Sequence, residues 1–133
     1  MAKTFTAPFA QTPKRIVARV TTGHTTLNST TNTVLAYTAG SEGSVVTRVA
    51  YSPTETVTAG VAYLYSSLDS GSTIDLLRAK AVAANTVSTT STPAEVDFGY
   101  TEDAPLRLQA SERLYVGFSL SKTGTFSGDA IDY

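Results

Sequence analysis

The chain has no cysteine, no tryptophan, one histidine (His24) and one methionine in 133 residues. Without cysteine there is no disulfide scaffold and no thiolate metal site. A single histidine removes most of the usual parts for nucleophilic relays, acid–base catalysis and zinc binding. The expectation is a protein that is not an enzyme and carries no cofactor and no metal. Long hydrophobic runs are missing as well. The apolar stretches last a few residues, against about 20 for a membrane-spanning helix, so no membrane partner is expected. Met1-Ala2-Lys3-Thr4-Phe5 offers no apolar signal region, which implies no Sec export. Charge of neither sign accumulates: 10 basic and 11 acidic residues give a net charge of −1. No basic footprint supports nucleic-acid binding. Lys14-Arg15 with Arg19 forms one small basic cluster, read as a solvated patch beside a strand.

What the chain has instead is hydroxyl. Ser and Thr make up 37 of the 133 residues, and threonine with the other β-branched residues suits pleated, half-solvated strands. The length fits one domain able to bury a substantial core. Residues 1–13, with Pro8 and Pro13 around Phe5 and Phe9, read as an extended N-terminal arm. Residues 14–133 read as the folded domain.

Apolar stretches in that domain are separated by turn signals. Strands are expected at Lys14–Val20, Asn32–Thr38 and Ser44–Ser52. In the last of these, simple alternation puts Val45, Val49 and Tyr51 on one face and Val46 and Ala50 on the other. The cleanest period of two runs through Val57, Ala59, Val61, Tyr63 and Tyr65, against Thr58, Gly60, Ala62, Leu64 and Ser66. Thr73–Val82 has residues that also suit a helix, but flanking turn signals favour a strand. Ala94–Thr101, a short strand at Leu106–Leu108, Arg113–Ser121 (Leu114, Val116, Phe118 and Leu120 inward) and Thr125–Tyr133 complete the set. About eight strands with almost no helical signal give an all-β fold, an antiparallel β-sandwich of the jelly-roll type.

The candidates for chemistry are few. His24, on a polar Thr/Asn-rich loop, reads as a solvent-exposed loop residue. Asp69-Ser70-Gly71-Ser72 with Asp75, and Glu102-Asp103, lack calcium-loop spacing and read as turn chemistry. Gly40-Ser41-Glu42-Gly43 has no following Lys-Ser/Thr and reads as a hairpin turn. The seven tyrosines suit interfaces, since each has an apolar body and a polar tip. Tyr115 opposes the inward face of its strand, which makes it the best candidate for an exposed contact.

The segment Asn32 to Val49, with Thr25-Thr26-Leu27 before it, is the distinctive stretch. Thr31 to Leu35, the Thr38 to Ser44 turn and Arg48 in the next strand resemble a group of small virion proteins of tailed bacteriophages. Val61 to Tyr65, an Asp/Ser/Gly turn and a C-terminal Asp-Tyr fit as well. The resemblance spans residues 14–133. It implies a jelly-roll head decoration (cement) protein, a homotrimer bound to the major capsid protein and located in the virion after assembly in the host cytoplasm. Phe5, Phe9 and Tyr115 would then be partner contacts. Two other readings stay open: a collar, tail or fibre-associated virion module, and a carbohydrate-binding β-sandwich.

Overall fold

The computed structural model describes residues 11–133. Phe5, Phe9 and most of the expected arm lie outside the described residues. Among the described residues there are nine strands: β1 (Thr12–Val20), β2 (Val34–Thr38), β3 (Ser44–Pro53), β4 (Gly60–Ser67), β5 (Asp75–Val82), β6 (Val96–Asp97), β7 (Leu106–Leu108), β8 (Arg113–Phe118) and β9 (Gly124–Asp132). Among the described residues there is no helix. The segment Thr73–Val82, ambiguous by composition, supplies a strand.

The first sheet runs β1-β9-β3, with β6 and β7 both pairing the far side of β3. The second runs β2-β8-β4-β5. All pairings are antiparallel. Because β6 and β7 share one position, nine segments fill eight places in the order of a jelly roll. The strand expected over residues 94–101 is reduced to Val96–Asp97; Phe98 and Tyr100 continue past it as buried anchors.

The core lies between the sheets. Ile16, Val46, Val49, Tyr51 and Phe126 from the first sheet meet Ala62, Leu64, Leu114, Val116 and Phe118 from the second. Leu114, Val116 and Phe118 face inward as alternation required. Tyr51 stacks on Phe118 with centroids 4.8 Å apart and lies against Phe126 at 4.6 Å. Its hydroxyl is buried with no hydrogen-bond partner, and burial pushes its pKa up. A buried hydroxyl without a partner carries a desolvation penalty that its removal relieves. Tyr51→Phe is therefore expected to leave stability unchanged or raise it by about 1 kcal/mol, read by thermal or urea denaturation.

Two expectations about faces need correction. In β3 the register against β9 shifts between Val46 and Arg48. This β-bulge at Thr47 re-phases the strand, so Val46 joins Val49 and Tyr51 in the core rather than opposing them. In β4 the pairing begins only at Gly60. Val57 sits in an isolated bridge with Asn85 and is buried in the core, while Tyr63 and Tyr65 point the other way.

The Gly40–Gly43 turn is also corrected. Gly43 has φ +88° and its N–H donates to the Gly40 carbonyl at 3.0 Å, so the chain does reverse. It does not close a hairpin, because β2 belongs to the second sheet and β3 to the first. Between consecutive strands, only β4–β5 is a hairpin within one sheet, with Asp69 holding its turn. The Asp69 carboxylate accepts from Ser67 Oγ at 2.9 Å and from the Thr73 N–H at 2.8 Å.

A polar bolt joins the sheets beside the Gly40–Gly43 turn. Asp132 of β9 accepts from Tyr37 of β2 and from Ser44 of β3, the latter at 2.5 Å. Burial by itself would raise the Asp132 carboxyl, but the hydrogen bonds from Ser44 and Tyr37 and the charge of Lys14 outweigh it and hold it below its usual value. Tyr37 is pushed up to about 12, by burial first and then by Asp132. A carboxyl with a depressed folded value adds stability above its unfolded value and loses it as pH falls through the folded one. Asp132→Asn is expected to cost about 1–2 kcal/mol at neutral pH. Its disadvantage against the parent chain should shrink as pH falls below about 4. Paired denaturation curves across that range test this; an unchanged gap would mean that Asp132 titrates normally.

Candidate interaction face

The two outer faces of the sandwich differ in kind. On the first sheet, cross-strand register places Arg15, Asp129 and Arg48 in one row. Arg48 Nη2 then meets Glu95 Oε1 at 2.9 Å. Alternating charge of this sort keeps a sheet face solvated.

On the second sheet the outward residues are those that alternate with the core positions. One row runs Leu35, Tyr115, Tyr65, Leu76 across all four strands. The next runs Gly117, Tyr63, Ala79, and a third pairs Val61 with Ala81. None of these residues is charged. The nearest charge on the face is Arg113, in the row of Ser67 and Thr38 at its end.

Part of this face is covered by the protein's own loops. The loop from residue 21 to 33 lies over β4 and β8, and His24 is its plug. The His24 N–H donates to the Phe118 carbonyl at 2.7 Å. A Cβ on Gly117 would sit 3.0 Å from the His24 Cβ, so the loop packs directly on the sheet. His24 is 1% exposed, which overturns the expectation of a solvent-exposed residue. Its ring stands edge-on to Tyr63 and Tyr65, at 5.5 and 5.3 Å. Nδ1 lies 2.8 Å from the Thr31 carbonyl, which can only accept, so Nδ1 carries the hydrogen. Nε2 lies 2.6 Å from the Tyr65 hydroxyl. Both ring nitrogens are thus spent on structure. Nothing in the local sequence announces this, because the partner Tyr65 is 41 residues away.

Tyr115 stands on the outer face as expected, yet it is not the open contact anticipated. It is half-buried, and its hydroxyl occupies the space where Gly71 (φ +94°) would carry a side chain. The 67–73 turn therefore caps it, and only a residue without a Cβ fits that approach. The exposed apolar groups are its neighbours: Leu35 and Leu76 on the outer strands, Leu27 on the loop and Leu68 on the turn. Sequence reasoning passed over these four, because their common face depends on the register of four strands.

Among the described residues no group of three or more His, Asp or Glu is placed to hold a metal ion. An open pocket lies beside the polar bolt, lined by Ser41, Glu42, Arg107, Leu108, Gln109 and Tyr133.

No protein-family model matches the chain, and no curated protein matches it. Two solved structures are similar over most of its length. One is described as the structure of infectious bursal disease virus Gx strain, at 14% identity, covering 98% of this chain and 35% of that chain, with a TM-score of 0.36. The other is the structure of infectious bursal disease virus Gt strain, at 18% identity, covering 92% and 33%, with a TM-score of 0.33. The chain thus spans about a third of the length of each chain it matches. Alignments at this level carry no functional argument, and the assignment of the fold rests on the strand order itself.

Proposed function

We propose that the chain is a virion structural protein, a jelly-roll module that decorates or cements the head of a tailed bacteriophage by binding its major capsid protein lattice, and that it works as a homotrimer. The observation that carries this reading is the uncharged outer face of the second sheet, rimmed by exposed Leu27, Leu35, Leu68 and Leu76. Grouped exposed apolar residues on a folded domain mark a contact surface. The fold supplies rigidity and the charge-laced face keeps the opposite side wet. Many copies on a lattice would add avidity without individually strong contacts. The resemblance of residues 14–133 to small phage virion proteins points the same way, and Phe5 and Phe9 in the arm would add anchors.

The double variant Leu35→Asp/Leu76→Asp tests the reading. Both residues are exposed, so the fold should survive. Binding to particles stripped of the protein should weaken at least about tenfold, or ~1.4 kcal/mol. Unchanged occupancy would remove this face from the contact. Copy number in purified particles separates locations. Numbers matching the capsid lattice place the protein on the head, and those of a single ring place it at the collar or tail. Saturable binding of a glycan by the soluble protein would favour the sugar reader.

A further inference from the structure

The pocket beside the polar bolt lies at the end of the sandwich where the N-terminal segment joins it. One cross-strand row spans that end of the first sheet: Thr12 of β1, Asp132 of β9, Ser44 of β3 and Leu108 of β7. Ser44 and Leu108 line the pocket, together with Glu42, Gln109, Ala110 and Tyr133. At the β1 end of the row the Gln11 N–H donates to the Asp132 carbonyl at 2.8 Å, so the chain enters the ladder from this same side. Thr12 and Lys14 share the inward phase of Ile16, Ala18 and Val20. Those three are buried, whereas Thr12 and Lys14 are exposed. Among the described residues, then, the inner side of β1 is uncovered at its start.

Size, chemistry and reach decide what fits there. The pocket has a volume of about 570 Å³, within the ~300–1,000 Å³ of cavities that seat ligands. Leu108, Ala110 and the Tyr133 ring offer apolar wall, and Glu42 and Gln109 add polar groups. Residues 1–10 hold two phenylalanines and a single charged side chain, Lys3. Aromatic rings carry the largest apolar area that such a segment can bury. Three strand spacings of ~4.8 Å put β7 about 14 Å from β1. Fully extended chain from Gln11 reaches ~7 Å by Phe9 and ~20 Å by Phe5. Phe9 therefore stops short of β7, and Phe5 crosses with slack.

We propose that the occupant of this pocket is the chain's own N-terminal segment, with the Phe5 ring seated against Leu108 and Tyr133 and residues 6–10 crossing the start of β1 and the end of β9. In the free protein Phe5 is then withheld from any partner, while Phe9 is left to meet one. The inference goes beyond the capsid reading and holds whether or not that reading does.

A chain without cysteine reports only the cysteines placed in it. Thr4→Cys/Gln109→Cys, treated with a short bis-maleimide in dilute solution, should give an intrachain cross-link, read by mass spectrometry. Thr4→Cys/Ser88→Cys should not. Ser88 belongs to the opposite end of the sandwich, past Pro53, where the Val87 N–H donates to the Thr56 hydroxyl at 3.2 Å. Adding Phe5→Ser to the first pair should bring its cross-link down to the level of the second. Far-ultraviolet circular dichroism checks that each variant is folded. A link between two chains would put a neighbour's segment in the pocket and overturn the proposal. So would the absence of a link to Gln109, equal linking to Gln109 and Ser88, or a link that survives Phe5→Ser. The unmodified chain gives a second reading, because chymotrypsin cuts after accessible aromatic residues. Cleavage after Phe5 should be slower in the folded protein than in a synthetic peptide of residues 1–13, and equal rates would overturn the proposal as well.

Discussion

Phe118→Ala is expected to cost about 3–5 kcal/mol of folding stability. Phe118 has no exposed surface, lies on β8 in the middle of the second sheet and stacks on Tyr51 of the opposite sheet. Truncation removes an aromatic pair across the core and leaves a cavity against Tyr51, whose hydroxyl already lacks a partner. The rigid strands on both sides limit collapse into the space, so the cost should reach the upper part of that range. Urea denaturation gives the value directly. A loss below about 1 kcal/mol would mean that β8 does not face the core as described.

Gly128→Ala should be comparably severe despite adding a single carbon. Gly128 sits on β9 opposite Ile16 on one side and Val49 on the other. The bulge at Thr47 brings the Arg48 carbonyl into the space a Cβ at Gly128 would fill, and the obstruction is backbone rather than a movable side chain. Either the bulge must flatten or the β3–β9 ladder must open. Flattening would rotate Val46 out of the core. We expect a loss of ~3 kcal/mol or more, with a lower yield of soluble protein. Near-normal stability would show that the β3–β9 register adapts freely.

These two residues also mark what could and could not be seen in the sequence. Phe118 was legible because β8 alternates without interruption. Leu114, Val116 and Phe118 announce their own face. The β4–β5 hairpin was legible because the Asp69 turn joins neighbours in one sheet. Gly128 was not legible, since its constraint comes from a bulge on a strand some 80 residues earlier in the chain. The bulge also explains why simple alternation put Val46 on the wrong face. The Gly40–Gly43 turn misled for a related reason. Turn residues encode a local reversal and carry no information about which strand the chain pairs with next.

The interaction face was half legible. Tyr115 was placed on the correct side of its strand from period alone. Its cover was missed because Gly71 belongs to a turn more than 40 residues away. His24 was misjudged outright. A lone histidine in a Thr/Asn-rich loop reads as solvated until the loop is seen lying on Tyr63 and Tyr65. Such contacts are set by topology, and in this order nearly every strand lies beside one distant in the chain.

The position of β9 has a consequence for the nascent polypeptide. Of the described strands it comes latest in the chain, yet it lies between β1 and β3, which are made far earlier. Until residues 124–132 leave the ribosome, those two early strands have no common neighbour and Ile16, Val49 and Tyr51 stay without their cover. The first sheet therefore cannot close before β9 has emerged, and closure of such remote pairings is slow. Chains halted before β9 should collect as protease-sensitive, chaperone-bound species rather than as smaller folded domains.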